Sequence, residues 1–215
     1  MCGRFTQTKT RKEVLEQIGE IELPPLFQRR YNIAPTQRVT VIRQQNPAKA
    51  EEAVWGFENP RSTSPVINAR SETLTERPMF KSLLFTHRCL IPADGFYEWK
   101  DRQPYYFQTL KKQLFAFAGL YKRGRCVIIT RAADHNMQGI HDRMPVILSP
   151  EQWKDWLLVP PPGKPKSTIV HMELPEHPAP LSARPVSLRV NKVIHDDPAC
   201  LDPGEVQTSL FPDEP

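Results

Sequence analysis

Glycine and closely spaced cysteines are both scarce in this chain. There are 9 glycines against 23 prolines in 215 residues, a balance that disfavours long helices and favours short strands joined by rigid turns. The cysteines are Cys2, Cys89, Cys126 and Cys200. None forms a C-x-x-C pair, so the sequence predicts no zinc site, no redox centre and no cofactor. Their wide spacing is typical of free thiols in a reducing compartment.

Long apolar runs are also missing. No segment approaches the ~20 apolar residues of a membrane span, and the N-terminus lacks the basic-then-apolar pattern of a secretion signal. We therefore predict a cytoplasmic protein without a membrane partner. The net charge is +5 and the pI about 9.1, which permits an anionic partner such as nucleic acid.

The chain length fits one domain, which we place at residues 1–200, and we expect a monomer. Residues 201–215 are acidic and contain prolines, and we interpret them as a disordered tail. Thr10 and Glu13 form a capping-box pattern that predicts a helix over residues 10–19. Ser149 and Pro150 start a second helix that ends at Leu157 or Leu158.

Short segments rich in β-forming residues account for most of the remaining pattern. They cover residues 38–42, 52–55, 89–92, 96–99, 105–107, 114–118 and 126–130. A polar turn around Asn46-Pro47 would join the first two, and Asp94-Gly95 is a further turn signal. Strands do not alternate regularly with helices, so the pattern favours an α+β fold, a compact domain with an antiparallel, β-barrel-like core and a few short helices.

Cys2 is the most informative position for function. Removal of Met1 would leave a terminal cysteine, whose amine has a pKa of ~8 and whose thiol has a pKa of ~8.5. Such a pair traps an aldehyde: the amine forms an imine and the thiol closes onto the imine carbon as a thiazolidine. An N-terminal cysteine is also the nucleophile of class II glutamine amidotransferases. The simplest alternative is that Cys2 is merely the second residue of the chain.

Three further segments carry polar groups suited to chemistry. Asn68 could bind a sugar or carbonyl, with Arg70 at a phosphate. Glu98 shares a strand face with Phe96, and its desolvation among aromatic rings would raise its pKa. His141 is a candidate acid and base. Taken alone, each also fits a turn, core or surface residue.

Several segments in order resemble the SOS-response-associated peptidase (SRAP) family, whose members process abasic sites. They are Met1-Cys2-Gly3-Arg4-Phe5, residues 30–35, Trp55-Gly56, residues 67–73, residues 88–99 and residues 140–145. The resemblance implies a protein that binds abasic single-stranded DNA and forms a thiazolidine crosslink through Cys2. It also implies autoproteolysis that exposes Cys2, a lyase-like activity and a place at the nucleoid.

The resemblance also implies roles for individual residues. Asn68 would position the cysteine and the opened sugar, Glu98 would assist proton transfer at the amine, and His141 would act in sugar ring opening and in crosslink reversal. The implied DNA-contacting residues are Arg4, Asn32, Trp55, Arg70, Trp99 and Arg143. One segment departs from the family pattern: residues 57–61 lack the second tryptophan that commonly follows Trp-Gly.

The tail contains a possible partner signal. Gln207, Leu210 and Phe211 resemble the peptide that docks on the bacterial sliding clamp, with Leu and Phe filling an apolar pocket. Two other functions stay open beside the crosslinking protein: an N-terminal-nucleophile hydrolase of the amidotransferase type, and a non-covalent single-strand binder in which Cys2 is inert.

Overall fold

A computed structural model describes residues 2–19, 21–135, 137, 139–158 and 180–204. The strands in these residues are β1 Phe5–Gln7, β2 Arg30–Ile33, β3 Arg38–Arg43, β4 Asn46–Trp55, β5 Asn68–Arg70, β6 Arg88–Ala93, β7 Gly95–Lys100, β8 Gln103–Thr109, β9 Phe115–Lys122, β10 Arg125–Ala132, β11 Arg143–Pro145, β12 Ile147–Leu148 and β13 Leu181–Pro185. The α-helices are α1 Arg11–Ile18, α2 Pro78–Lys81, α3 Leu83–Thr86 and α4 Pro150–Leu157, and short 3-10 turns cover Ser71–Thr73, Leu188–Asn191 and Pro198–Leu201.

The strands form two sheets. The smaller has the order β13-β8-β7-β1-β2, and the larger has the order β11-β10-β4-β3-β6-β9-β12, with β5 paired to β10. Strand β10 also pairs with β9, so the path through β4, β3, β6 and β9 returns to β10. Most pairs are antiparallel, and the β4–β10 link is a short parallel one. This confirms the predicted α+β fold with a barrel-like core.

Alternating side chains place one of two core clusters between the sheets. In β6, Cys89 and Ile91 join the cluster that also contains Phe5 and Phe96, whereas Leu90 faces the opposite side. Helices α1, α3 and α4 cover that opposite side. Trp153 and Trp156 of α4 belong to the same cluster as Leu90. The period of two in a strand therefore produces a layer on each face of the larger sheet.

Both predicted helices are present. Thr10 caps α1, and the side chain of Glu13 completes the predicted capping box. Ser149 and Gln152 form the same arrangement at α4. Each box satisfies amide groups that a helix start leaves without intrahelical partners, so these local patterns were sufficient to locate the two helices.

Of the two predicted turns, the first is displaced in the structure and the second is a corner between the sheets. The β3–β4 turn lies at Gln44-Gln45, and Pro47 is inside β4. Proline is tolerated there because the β3–β4 register shifts between Ile42 and Arg43, so Pro47 lies in an irregular part of the ladder. Asp94-Gly95 does not form a hairpin. It is a corner at which the chain passes from β6 in the larger sheet to β7 in the smaller one.

The corner is held by the buried carboxylate of Asp94. It accepts hydrogen bonds from the hydroxyls of Thr6 and Thr8 and from the amides of Thr8 and Lys9. A Cβ on Gly95 would lie 2.0 Å from the hydroxyl of Tyr106, so this position requires glycine. The corner thereby fixes the start of β7 against β1.

The outer face of the smaller sheet is covered by the chain from 186 to 204, which we name the C-terminal strap. Val186, Val190 and Cys200 pack against Tyr97 and Tyr106. Residues 201–204 belong to this packed region, since the amide of Gly204 donates to the carbonyl of Pro185. The domain thus extends beyond the predicted boundary at residue 200. Among the described residues no helix is long and apolar enough to cross a membrane.

Candidate active site

Cys2 lies between the two sheets, just before β1. It is 0% exposed and packs in the cluster that contains Phe5 and Trp55. Burial raises the pKa of its thiol, and the nearby carboxylate of Glu98 acts in the same direction. In this environment the sulfur holds its proton at neutral pH, so its activation requires a neighbouring base.

Asn68 fixes the backbone of Cys2. Its Nδ2 donates to the carbonyl oxygen of Cys2 at 3.0 Å. The residue begins β5, which lies parallel to β10, and the indole of Trp55 donates to the carbonyl of the preceding Ile67. The buried Oδ1 of Asn68 has no hydrogen-bond partner among the residues that the structure describes. It is therefore an acceptor ready for a donor at the N-terminus or on a ligand.

Glu98 supplies a titratable group beside Cys2. It points from β7 toward the same side as Phe96, and it is 3% exposed. Burial raises the pKa of Glu98 to about 7, and the carboxylate of Asp142 adds to the increase. A carboxyl group with this pKa exchanges protons at neutral pH, which fits the predicted acid–base role.

His141 faces Glu98 from the loop before β11. Its Nε2 is 3.9 Å from Oε2 of Glu98. Burial lowers the pKa of His141, which favours the neutral imidazole. Its Nδ1 is 2.9 Å from the amide nitrogen of Arg143 and 2.9 Å from Oδ1 of Asp142. The amide of Arg143 donates to an unprotonated Nδ1 and so favours the tautomer with the proton on Nε2. The carboxylate of Asp142 accepts from a protonated Nδ1 and favours the other tautomer. Nε2 can therefore give or take a proton.

Arg143 is engaged within the protein. Its guanidinium donates to both oxygens of Glu72, at 2.6 and 2.9 Å, and to the carbonyl of Thr130 at 2.9 Å. The Arg143 partnership lowers the pKa of Glu72 to about 2. The pair joins two segments of the site. Glu72 lies in the turn that follows β5, the strand of Asn68, and Arg143 follows the loop that contains His141. The sequence predicted no role for Glu72, which lies within the family-like segment 67–73, because no spacing rule connects positions as far apart as 72 and 143.

The remaining predicted DNA-contacting residues fall into two groups. Arg70 is exposed, and Trp99 is half-buried and donates to Asn191. Trp55 and Asn32 are both 0% exposed. The amide of Asn32 donates to the carbonyls of Val190, Lys192 and His195 and accepts from Arg4.

The structure therefore brings together Cys2, Asn68, Glu98 and His141 and separates Arg4 and Asn32 from them, on the opposite face of the smaller sheet. In this arrangement Asn32 and Trp55 present no surface to a ligand. We infer that they support the strap and the core respectively. Gln207, Leu210 and Phe211 lie outside the described residues.

The sequence is similar to a known family and to proteins named for abasic site processing. The sequence profile of the SOS response associated peptidase (SRAP) family matches residues 1–193. Abasic site processing protein YoqW of Bacillus subtilis is 38% identical over 179 residues, covering 73% of this chain and 80% of that protein. Abasic site processing protein YedK of Escherichia coli is 33% identical over 192 residues, covering 79% and 85%.

Solved structures show the same fold. A protein from Bacteroides thetaiotaomicron has a TM-score of 0.78 at 21% identity, covering 94% of this chain and 100% of that chain. A phage-related protein from Bordetella bronchiseptica has a TM-score of 0.66 at 30% identity, covering 86% and 94%. From the match over residues 1–193 and the relatives at 38% and 33% identity, we conclude that the chain belongs to the SOS response associated peptidase (SRAP) family.

Proposed function

We propose that this protein recognises abasic sites in single-stranded DNA and forms a covalent thiazolidine crosslink through Cys2 after Met1 has been removed. One observation carries the proposal. The backbone of Cys2 is held by Asn68, and Glu98, whose pKa is about 7, lies close enough to act on the Cys2 thiol and faces His141. The names of the relatives at 38% and 33% identity support the choice of DNA lesion.

The reaction can be written with these groups. The closed sugar opens when a proton reaches its ring oxygen and the anomeric hydroxyl loses one, which frees an aldehyde; His141 and Glu98 are placed for these transfers. The amine of Cys2 adds to the aldehyde carbon, and protonated Glu98 gives its proton to the hydroxyl that leaves as water. The resulting imine carbon is then open to the thiol.

Ring closure consumes the sulfur proton. Loss of water leaves a protonated imine. The carboxylate of Glu98, now ionised, accepts the proton from Sγ as the C–S bond forms, and the C=N electron pair returns to the nitrogen, which keeps its own proton as the ring amine. Glu98 thus serves first as acid and then as base, a cycle that a pKa of about 7 permits. Reversal runs through the same groups: Sγ regains a proton as the C–S bond breaks, and water then hydrolyses the imine and returns the aldehyde. A lyase-like activity would start from the same imine, by elimination.

A denaturing gel tests the proposal. Mature protein mixed with an oligonucleotide containing one abasic site should give a shifted band that resists denaturant. The band should vanish with Cys2→Ala and persist with Cys200→Ala, which removes a thiol under the strap. Glutamine hydrolysis without a band would favour an amidotransferase, and salt-sensitive binding without a band would favour a simple single-strand binder.

Exposure of the Cys2 amine requires loss of Met1. We propose that the peptidase activity implied by the family name performs this step, with a methionine aminopeptidase as the alternative. Mass spectrometry of protein made in a cell-free system without aminopeptidase distinguishes them: removal of Met1 there supports self-processing, and retention of Met1 contradicts it.

The tail suggests how the protein reaches DNA. We propose that Gln207, Leu210 and Phe211 bind the replicative sliding clamp and place the protein at the nucleoid, where single-stranded abasic DNA arises. Purified clamp should retain the protein and release a Leu210→Ala, Phe211→Ala variant. Equal retention of both would contradict this role.

A further inference from the structure

Arg4 lies two residues after Cys2, and its side chain is turned toward the C-terminal strap. Its Nη1 donates to Oδ1 of Asn32 at 2.7 Å and to the carbonyl of Val190 at 2.6 Å. The guanidinium carbon lies 5.7 Å from the centre of the Trp99 ring. Arg4 therefore connects the segment before β1 to the smaller sheet and to the strap.

The backbone of Arg4 contacts the reactive side of the chain. Its carbonyl accepts from the amide of Tyr97, the residue before Glu98 in β7, at 2.9 Å. Burial raises the pKa of the Cys2 thiol, and a hydrogen bond from the backbone of Arg4 opposes this increase. One residue thus contacts the strap with its side chain and both Tyr97 and Cys2 with its backbone.

The strap holds β7 as well as the N-terminal segment. The indole of Trp99, the residue after Glu98, donates to Oδ1 of Asn191 at 2.7 Å. Val190 and Asn191 are consecutive, so one short piece of the strap binds both Arg4 and Trp99. The strap therefore fastens the segment of the reactive cysteine and the strand of the reactive carboxylate.

A reactive residue at a chain end needs such an anchor, because terminal residues are mobile unless they are tied down. After removal of Met1, Cys2 would be the first residue, and β1 begins only at Phe5. Asn68 holds the carbonyl of Cys2. Thiazolidine formation requires the amine and Sγ to reach one carbon while Glu98 exchanges protons with them. A displacement of roughly 1 Å at such a centre can cost about a hundredfold in rate.

We propose that Arg4 is a positioning residue for crosslinking: its contacts with the strap hold Cys2 in place beside Glu98, and it makes no contact with DNA. The inference rests on the proposed function and adds a part for residues outside the reactive centre. It replaces the DNA-contacting role that the family resemblance implied for Arg4. Because the planar guanidinium both donates hydrogen bonds and lies over Trp99, a lysine ammonium cannot reproduce its contacts.

The test measures single-turnover crosslinking of the mature full chain to an oligonucleotide with one abasic site, over a range of DNA concentrations. Arg4→Lys keeps the charge that a phosphate would bind but loses the planar group. Its crosslinking rate at saturating DNA should fall by about tenfold, while the DNA concentration that gives half of the maximal rate stays unchanged. Arg11→Lys is the matched control and should change neither, because Arg11 in α1 also donates to two backbone carbonyls, those of Leu23 and Pro24.

Removal of the charge tests the alternative role in DNA binding. Arg4→Gln should lower the saturating rate as Arg4→Lys does, and it should leave the slope of log affinity against log salt unchanged on intact oligothymidine. A phosphate contact by Arg4 would instead reduce that slope by roughly 0.7. A reduced slope, or an unchanged saturating rate in Arg4→Lys, would overturn the inference.

Asn191→Ala is a milder variant that keeps the inference testable if the Arg4 variants do not fold. It removes the hydrogen bond to Trp99 at an exposed strap position. The saturating rate should fall by about threefold, with thermal unfolding used to confirm that the protein is folded at the assay temperature. An unchanged rate in this variant would contradict the role of the strap.

Hydrogen exchange provides a measurement that does not depend on crosslinking. The amides of residues 3–7 should exchange about tenfold faster in Arg4→Lys than in the wild-type protein, and those of α4 should be unchanged. Equal exchange of residues 3–7 in the two proteins would contradict the anchoring role. If the wild-type protein formed no crosslink, the proposed function would fail, and exchange would still decide whether Arg4 anchors the N-terminal segment.

Discussion

The single residue that sets the reaction's pH range is Glu98. Its pKa of about 7 arises from burial beside Cys2, and a free α-amine ordinarily has a pKa of ~8. Below about pH 7 the carboxyl group is protonated but the amine is charged. Above about pH 8 the amine is neutral but the acid has lost its proton.

We therefore expect a crosslinking rate that rises up to about pH 7, stays level to about pH 8 and falls beyond it. Glu98→Gln should lower the maximum by about a hundredfold and remove the falling limb, because the amide has no proton to lose. Single-turnover gels between about pH 5 and pH 9.5 measure both profiles. A falling limb that persists in the variant would assign it to another group.

Glu98 should also make the fold less stable at neutral and higher pH than in acid. The folded protein keeps the proton up to about pH 7, whereas the unfolded carboxyl releases it near 4.5. The free energy of unfolding therefore decreases as the pH rises between these values, and the decrease is complete above about pH 7. Glu98→Gln should then be more stable than wild type by up to about 3 kcal/mol at pH ~8 and equal near pH ~4. Urea midpoints at the two pH values measure this difference, and equal midpoints at pH ~8 would contradict it.

At the scale of elements, the Glu72–Arg143 pair connects the β5 turn with the His141 loop. Both guanidinium hydrogen bonds are short, and the amide of Arg143 also contacts Nδ1 of His141. A bidentate pair restrains both position and orientation. We infer that Glu72 is a positioning residue that keeps His141 facing Glu98.

Glu72→Gln should slow crosslinking by roughly tenfold, an effect of about 1.4 kcal/mol, and should shift the pH at which the His141 imidazole titrates in an NMR experiment. Affinity for intact single-stranded DNA should not decrease, since the change removes a negative charge. Glu76→Gln is the matched control, because Glu76 is exposed and lies three residues after the 3-10 turn that contains Glu72. Weaker binding to intact DNA with an unshifted His141 titration would contradict a positioning role.

The elements also show what local sequence patterns can predict. Capping boxes located α1 and α4, and alternation placed Glu98 on the Phe96 side of β7, because both depend on residues a few positions apart. Asp94-Gly95 was predicted only as a turn. Its role as a corner between the sheets depends on hydrogen bonds to Thr6 and Thr8 that no local pattern reveals. The burial of Asn32 is equally non-local, since the carbonyls to which its amide donates lie more than 150 positions away.

On the scale of the whole molecule, the C-terminal strap is held to the smaller sheet by Asn32 and its neighbours. Asp196 accepts from the amides of Tyr31 and Asn32 and pairs with Arg30. Arg4, two residues from Cys2, donates to the carbonyl of Val190 at 2.6 Å. The strap thus restrains the strand that leads to the reactive cysteine.

Asn32→Ala should lower the free energy of unfolding by about 3 kcal/mol, because it leaves several buried carbonyls without donors. It should also expose the strap to proteolysis within the 186–204 range before the domain unfolds. Asn46→Ala, at an exposed position, serves as the control and should change stability by less than about 0.5 kcal/mol. Denaturant titration and limited digestion provide the two measurements, and an unchanged midpoint would show that the strap is not held by Asn32.

The complete enclosure of Cys2 has a further consequence, for survival under oxidative stress. Peroxide reacts with thiolates that it can reach, and this sulfur is both protonated and 0% exposed. Before Met1 is removed, the sulfur is therefore protected against conversion to sulfenic acid during the same episodes of oxidation that damage DNA bases. Removal of Met1 would then supply an unoxidised Cys2 thiol for reaction with the sugar aldehyde.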